Sequence, residues 1–351
     1  MNPLTRQFLA DPIGSYPSAT VACLDATHGD LPRRMLDAQR NRLYLERLSA
    51  AGVPAALIAA STGHGHARMV EELEEWFAAS KEANIGRMVL MALLRPEDGQ
   101  AANEQLLDQL RELGYPVVFF RPGTKLPRAA SDEQIAESLR PLVKAAAERE
   151  FAIGLYTIPD VSGVRLTADA AAALLKSPGG ENIIAAKITE ANYDESTLTY
   201  LQHPELARLK IVQGWDPFIT RALQDGPKYD AQGRQRCGVT SGPMSFAVFQ
   251  YVHLLDAAER GDWAEAEAAL AAVTALFQSM QDDPGKFADL QRAKAIMGLG
   301  QPLKGEVSPA QIDRVLQALQ SLPRPADRAR LARSLDLMEV GPYHEQLKQL
   351  V

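Results

Sequence analysis

Eight short, apolar, β-prone runs between Ala19 and about Arg260 alternate with amphipathic helical stretches, a rhythm that few folds accept. The runs are ATVACLD (19–25), AALIAA (55–60), RMVLMALL (87–94), PVVFFRP (116–122), AIGLYTIP (152–159), NIIAAKIT (182–189), KIVQGWD (210–216) and CGVTSG (237–242). Helical patterns stand at 32–51, 67–82, 101–113, 132–150, 168–176, 194–202 and 244–259. Strands that are apolar along their whole length are strands covered on both sides, as in a parallel sheet wrapped by helices. The expectation is an α/β chain folded as a (β/α)8 TIM barrel, whose chemistry sits at the C-terminal ends of the strands. An open doubly wound sheet is the alternative, but no GxGxxG turn follows the first strand.

Around that barrel, taken as 19–260, the sequence places an N-terminal arm (1–18) and a C-terminal helical region (261–351). The latter carries amphipathic patterns at 263–280, 284–297, 309–322, 325–338 and 342–350, broken by Gly and Pro. With 46% hydrophobic and 23% charged residues, the 351-residue chain has ample material for a large core. A net charge of −7 without any basic run argues against nucleic acid or an anionic membrane as partner. Cys23 and Cys237 form neither a CxxC pair nor a disulfide framework, and MNPLTRQFLADPIGSYPSA lacks an apolar signal core. A cytoplasmic location is the expectation.

Lys187 is the sharpest chemical signal, a lysine inside the otherwise apolar run NIIAAKIT. Desolvation favours the neutral amine, the form that attacks a carbonyl, so Schiff-base chemistry is one reading. The other is a lysine that snorkels to the strand edge or pairs with Glu190. Tyr156 ends the preceding strand, either as a proton relay or as a ring filling the barrel mouth. The turn Ser61-Thr62-Gly63 offers hydroxyls and backbone N–H groups to an anion, or serves as a helix cap. His64 and His66 form GHGH, but no histidine ends strands five to eight, so no metal site is expected. Trp215, Asp216, Thr240 and Ser241 stand at the ends of the last two strands as pocket candidates.

Together these turns resemble the dihydrodipicolinate synthase/N-acetylneuraminate lyase superfamily of class I aldolases, over roughly residues 19–300. Five collinear motifs carry the resemblance. Ser61–Gly63 is similar to the carboxylate-binding Gly-(Ser/Thr)-Thr-Gly-Glu turn, and YTIPDVSGVRLT (156–167) to the tyrosine strand, in its sialate-lyase version. AAKIT (185–189) resembles the Schiff-base strand; GWD (214–216) and GVTS (238–241) resemble the sugar-contacting turns.

The resemblance implies that Lys187 forms an imine with pyruvate or another 2-oxo acid, with Tyr156 as proton relay. It implies that Ser61 and Thr62, in the turn closed by Gly63, bind the carboxylate, and that Ser61 also links Tyr156 toward solvent. Gly214, Asp216 and Ser241 become pocket positions for an aldehyde or sugar acid. No cofactor is implied, and assembly is implied as a homo-oligomer, a tetramer or dimer.

Some positions depart from the family pattern. His64 replaces the turn glutamate, RPGTKLP (121–127) lacks the Tyr-Tyr pair of the synthases, and Asp160-Val161 replaces their arginine. Pro217 follows Asp216 where sialate lyase has an acid. The leading expectation is a lyase that makes or breaks C–C or C–O bonds of a 2-oxo sugar-acid-like substrate. The alternative is a 2-oxo-acid or sugar-acid binding protein without turnover; a metal-dependent barrel hydrolase ranks third.

Overall fold

The computed structural model of the chain describes residues 1–281 and 287–351. Eight parallel strands close into a barrel: β1 Ala19–Ala22, β2 Ala55–Ile58, β3 Val89–Leu94, β4 Val117–Phe120, β5 Ala152–Thr157, β6 Ile183–Ile188, β7 Lys210–Gln213 and β8 Cys237–Ser241. Every residue of these strands is buried, which is why their sequences run apolar rather than alternating. All eight expected strands are present, each trimmed by a few residues at its ends.

Helices separate most of the strands, and their starts are written in the sequence. Ser131 caps the helix Asp132–Glu148 in a capping box with Gln134, and Thr167 accepts the Ala170 N–H to start Ala168–Leu175. The helix expected over 32–51 begins only at Ala38, where Asp37 accepts the Arg40 N–H. Ahead of it, Thr27–His28 pairs with Met35–Leu36 in a two-stranded antiparallel hairpin. The helix expected over 284–297 is present as Ala288–Met297, its first three positions lying outside the described residues.

Contacts divide the chain into two compact units, Met1–Thr20 with Val89–Thr240, and Val21–Met88 with Ser241–Val351. In the first, the N-terminal arm is helical (Pro3–Ala10, Pro12–Ser15) and is tied to the N-terminal ends of strands. The Thr5 hydroxyl donates to the Pro116 carbonyl at 3.1 Å, just before β4. Lys210, which opens β7, donates to the Ile13 and Gln235 carbonyls at 3.2 and 2.6 Å. The arm thus occupies the end opposite the strand C-termini.

In the second unit the helices Trp263–Gln278 and Pro325–Leu335 pack against Val248–Glu259, and Pro309–Gln320 packs on those two helices. A buried polar knot fixes them: Gln250 Nε2 donates to Asp327 at 2.9 Å, and Arg330 donates to both Gln250 and Asp327. No helix among the described residues is long and apolar enough to cross a membrane.

One glycine in the first unit is required by packing. Gly154 on β5 pairs with Phe119 on β4, and a Cβ there would run into the Phe119 ring. Gly154→Ala is expected to destabilise the fold by about 1–3 kcal/mol. Adding Phe119→Leu should recover part of the loss, as read by chemical denaturation of the two single variants and the double variant.

Candidate active site

Tyr156 and Lys187 are register partners on β5 and β6, near the C-terminal ends of both strands. Equal register puts both side chains on one side of the sheet, so they meet. Lys187 Nζ lies 3.7 Å from the centroid of the Tyr156 ring. Both are buried, at 4% and 2% exposure. Burial drives the lysine down from 10.5 to about 7, against the opposing pull of the Asp216 carboxylate. Burial also raises the Tyr156 phenol above 10, opposed by the Thr189 hydroxyl and the Arg121 charge. A neutral amine next to a protonated phenol is a nucleophile next to an acid.

The alternative partner for Lys187 is engaged elsewhere. Glu190 accepts from the Thr157 hydroxyl at 2.7 Å and is paired with Arg165. The lysine is therefore neither paired with Glu190 nor snorkelled to the surface.

Gly214 follows β7, its N–H donating to the Ile188 carbonyl at 2.7 Å. A Cβ at this position would collide with Thr189 Oγ1 and come within 3.2 Å of Lys187 Cε. Glycine here keeps the space beside the amine. Asp216 opens the next turn, Asp216–Phe218, and is the carboxylate that acts on Lys187.

Of the other expected site residues, Trp215 and Thr240 belong to the first unit, and Ser61, Thr62, Gly63 and Ser241 to the second. Ser61–Gly63 forms a 3-10 turn directly after β2, buried throughout. Ser61 Oγ is buried without a hydrogen-bond partner among the described residues, a situation that native structures normally resolve with a ligand or water. A Cβ on Gly63 would meet the Cys23 carbonyl and come within 2.7 Å of the Trp76 ring, so glycine lets the turn lie close against its neighbours. The turn is strained at both ends, with Ala59 at φ 61° and His64 at φ 54°. Gln291 Nε2 donates to the Thr62 carbonyl at 3.2 Å. The Ser241 hydroxyl is engaged inside this unit, bonded to the Tyr251 hydroxyl at 2.9 Å and accepting the Met244 N–H at 3.0 Å.

His64 and His66 stand edge to face with ring centroids 5.8 Å apart, and burial lowers His64 to about 4. Among the described residues no group of three or more His, Cys, Asp or Glu side chains comes together.

Sequence reasoning missed a buried ionic cluster in this unit. Asp25, at the end of the first apolar run, is paired with Arg68 and accepts from Lys294 Nζ at 2.8 Å, all three side chains being fully buried. Glu72 joins through Arg68 at 3.0 Å and through Arg33. Lys294, inside the apolar stretch AKAIM, carried the same signal as Lys187. In the first unit, Arg95 and Arg121 at the ends of β3 and β4 were also passed over.

No family model and no curated protein sequence matches the chain. Solved structures do match its fold. A 2-keto-3-deoxygluconate aldolase variant of Sulfolobus solfataricus aligns with TM-score 0.70 and 14% identity over 87% of this chain and 95% of its own. YagE of E. coli K12, a prophage protein of the dihydrodipicolinic acid synthase family in complex with pyruvate, gives 0.71 and 17% over 88% and 98%. A dihydrodipicolinate synthase gives 0.69 and 18% over 88% and 99%. The chain has the barrel fold that these aldolase and synthase structures share.

The depressed lysine makes a stability prediction. Below about pH 7 the folded state carries a charged buried amine, whereas the unfolded chain keeps its lysine protonated up to about 10.5. The unfolded state therefore binds the extra proton between those values, and this site's cost to folding falls as pH rises through them. Lys187→Met is expected to be more stable than the parent at pH 6, on the order of 3 kcal/mol, with the difference closing toward pH 10. Urea denaturation across that range reads it; a pH-independent difference would contradict the buried amine.

Proposed function

We propose that this chain is a class I, imine-forming lyase acting on pyruvate or another 2-oxo acid. The observation that carries the reading is the pair Lys187–Tyr156: an amine titrating near 7, 3.7 Å from a tyrosine ring, at the C-terminal ends of adjacent barrel strands. A lysine of ordinary pKa would be almost wholly protonated at neutral pH, whereas this one is neutral in about half of the molecules.

In this reading the Lys187 amine attacks C2 of the 2-oxo acid, and Tyr156 delivers the proton that lets the carbinolamine oxygen leave as water. The imine then draws electrons from C3, which loses a proton to give an enamine. Addition of the enamine carbon to an aldehyde forms the C–C bond, and hydrolysis by one water frees the amine; the reverse sequence cleaves. Elimination of a C3-adjacent hydroxyl from the same imine is the dehydratase variant. The Ser61–Gly63 turn is assigned the carboxylate, supported by the unpartnered Ser61 hydroxyl and the backbone N–H groups of the turn. Gly214, Asp216 and Ser241 are assigned to the pocket.

The fold neighbours support this class, since YagE is described in complex with pyruvate and the Sulfolobus protein as an aldolase. A cytoplasmic, homo-oligomeric protein belongs to the same proposal; both cysteines are free and buried.

Borohydride reduction with pyruvate, followed by peptide mass analysis, is expected to leave a reduced adduct on Lys187 and none in Lys187→Ala. Folded protein that gives no adduct with any of a panel of 2-oxo acids would favour a binding protein instead. Tyr156→Phe should keep the fold and lower the rate of adduct formation by about 100-fold or more, read by the same trapping in a time course.

A further inference from the structure

The barrel register brings two more charged groups into the row that holds Tyr156 and Lys187. Leu94 pairs with Phe120, and Phe120 with Leu155. Tyr156 itself pairs with Lys187. Arg95 and Arg121 follow Leu94 and Phe120 by one residue, so continuing these rows one step past the strand ends brings Arg95 toward Arg121 and Arg121 toward Tyr156, on the side of the sheet opposite Leu94, Phe120 and Leu155. Arg95 and Arg121 directly follow the last residues of β3 and β4, the ends at which barrels do their chemistry.

Both arginines are buried, Arg121 completely. Each is held by a carboxylate of the 3-10 turn Pro96–Asp98. Asp98 takes Arg95 bidentately, at 2.8 Å to Nε and 2.8 Å to Nη2. Glu97 takes Arg121 end-on: Nη1 donates to one oxygen at 3.2 Å, Nη2 to the other, and Nη1 also reaches the Pro122 carbonyl at 2.9 Å. That leaves the side-on edge of Arg121. Its Nε is buried and has no partner among the described residues. The guanidinium charge also acts on the Tyr156 phenol, so it lies close to the catalytic pair.

A buried guanidinium held only for stability gains little, because an apolar side chain of similar volume serves as well or better. An unfilled N–H on such a group adds a further cost. A planar fork with two parallel donors is, by contrast, matched to a carboxylate or phosphate, which would fill the unused edge. We propose that Arg121 is a specificity-determining residue. Its side-on Nε–Nη2 fork receives a carboxylate or phosphate carried by the substrate beyond its 2-oxo acid group, and Arg95, held by Asp98, follows the end of the neighbouring strand. The substrate of this barrel is then doubly anionic, and the aldehyde partner is itself an anion. This assignment rests on the imine-forming reading above.

The test uses anionic and neutral acceptors in pairs, with pyruvate as donor: glyoxylate against acetaldehyde, and glycolaldehyde phosphate against glycolaldehyde. The wild-type chain is expected to prefer at least one anionic acceptor by about 10–100-fold in kcat/KM, and which of the two it prefers separates carboxylate from phosphate. In Arg121→Gln and Arg121→Lys the anionic-to-neutral ratio should collapse to within about threefold, with pyruvate trapping on Lys187 read on each variant. Should these variants fail to fold, the wild-type ratio still decides. A ratio near one overturns the proposal, as does an Arg121 variant that loses neutral and anionic acceptors equally or loses pyruvate trapping. Trapping on the wild-type chain is read in parallel, so a failure of imine chemistry (no adduct) is told apart from a failure of this assignment (adduct formed, no anion preference).

Discussion

Burying an ammonium inside a closed parallel barrel costs far more than burying a neutral amine, and the chemistry inferred for this protein follows from that difference. Strand closure removes water from Lys187, Gly214 leaves no side chain to crowd it, and the Tyr156 ring covers it at 3.7 Å. The one carboxylate that pulls the other way, Asp216, sits on the turn after β7 and does not restore the ordinary pKa. Glu190, two residues past Ile188, does not pair with the amine. Thr157 and Arg165 hold that carboxylate instead. The depressed lysine is chiefly a product of burial.

The second unit solves the same electrostatic problem in the opposite way. Lys294 is as deeply buried as Lys187, yet it is matched by Asp25 at 2.8 Å and stays higher, at about 8. Asp25 is held well below its usual range, its burial outweighed by Lys294 and Arg68. Pairing of this kind adds little net stability but makes loss of any one partner expensive. Its consequence is positional: the cluster ties the end of β1, the segment after the Ser61–Gly63 turn and the Ala288–Met297 helix to one another. With Gln291 holding the Thr62 carbonyl, the C-terminal helix supports the strained turn assigned to the substrate carboxylate.

The barrel was readable because every strand is covered on both faces, so each appears as an unbroken apolar run between turn residues. Lys187 and Tyr156 were readable for the same reason: a polar residue in such a run has no innocuous place to go. The hairpin at Thr27–Leu36 was not, because its two short strands carry no alternation and a helical pattern overlies the second. Arg95 and Arg121 looked like ordinary strand-terminal charges, since nothing in LLRPEDG or FFRPGTK says that both are buried. Asp25 and Lys294 escaped because their partnership spans 269 residues, and no local pattern encodes so distant a pair.

The sequence by itself determined the class of fold, the strand that bears the candidate nucleophile and the tyrosine beside it. These are properties of residues within one strand or one turn, where apolar periodicity and a single misplaced charge suffice. Tertiary structure alone decided the ionic state of those groups and the company they keep: Glu190 withdrawn by Arg165, Asp25 matched by Lys294, the Arg121 charge acting on Tyr156. Charge and desolvation act through space, and only strand register and burial say which groups share that space.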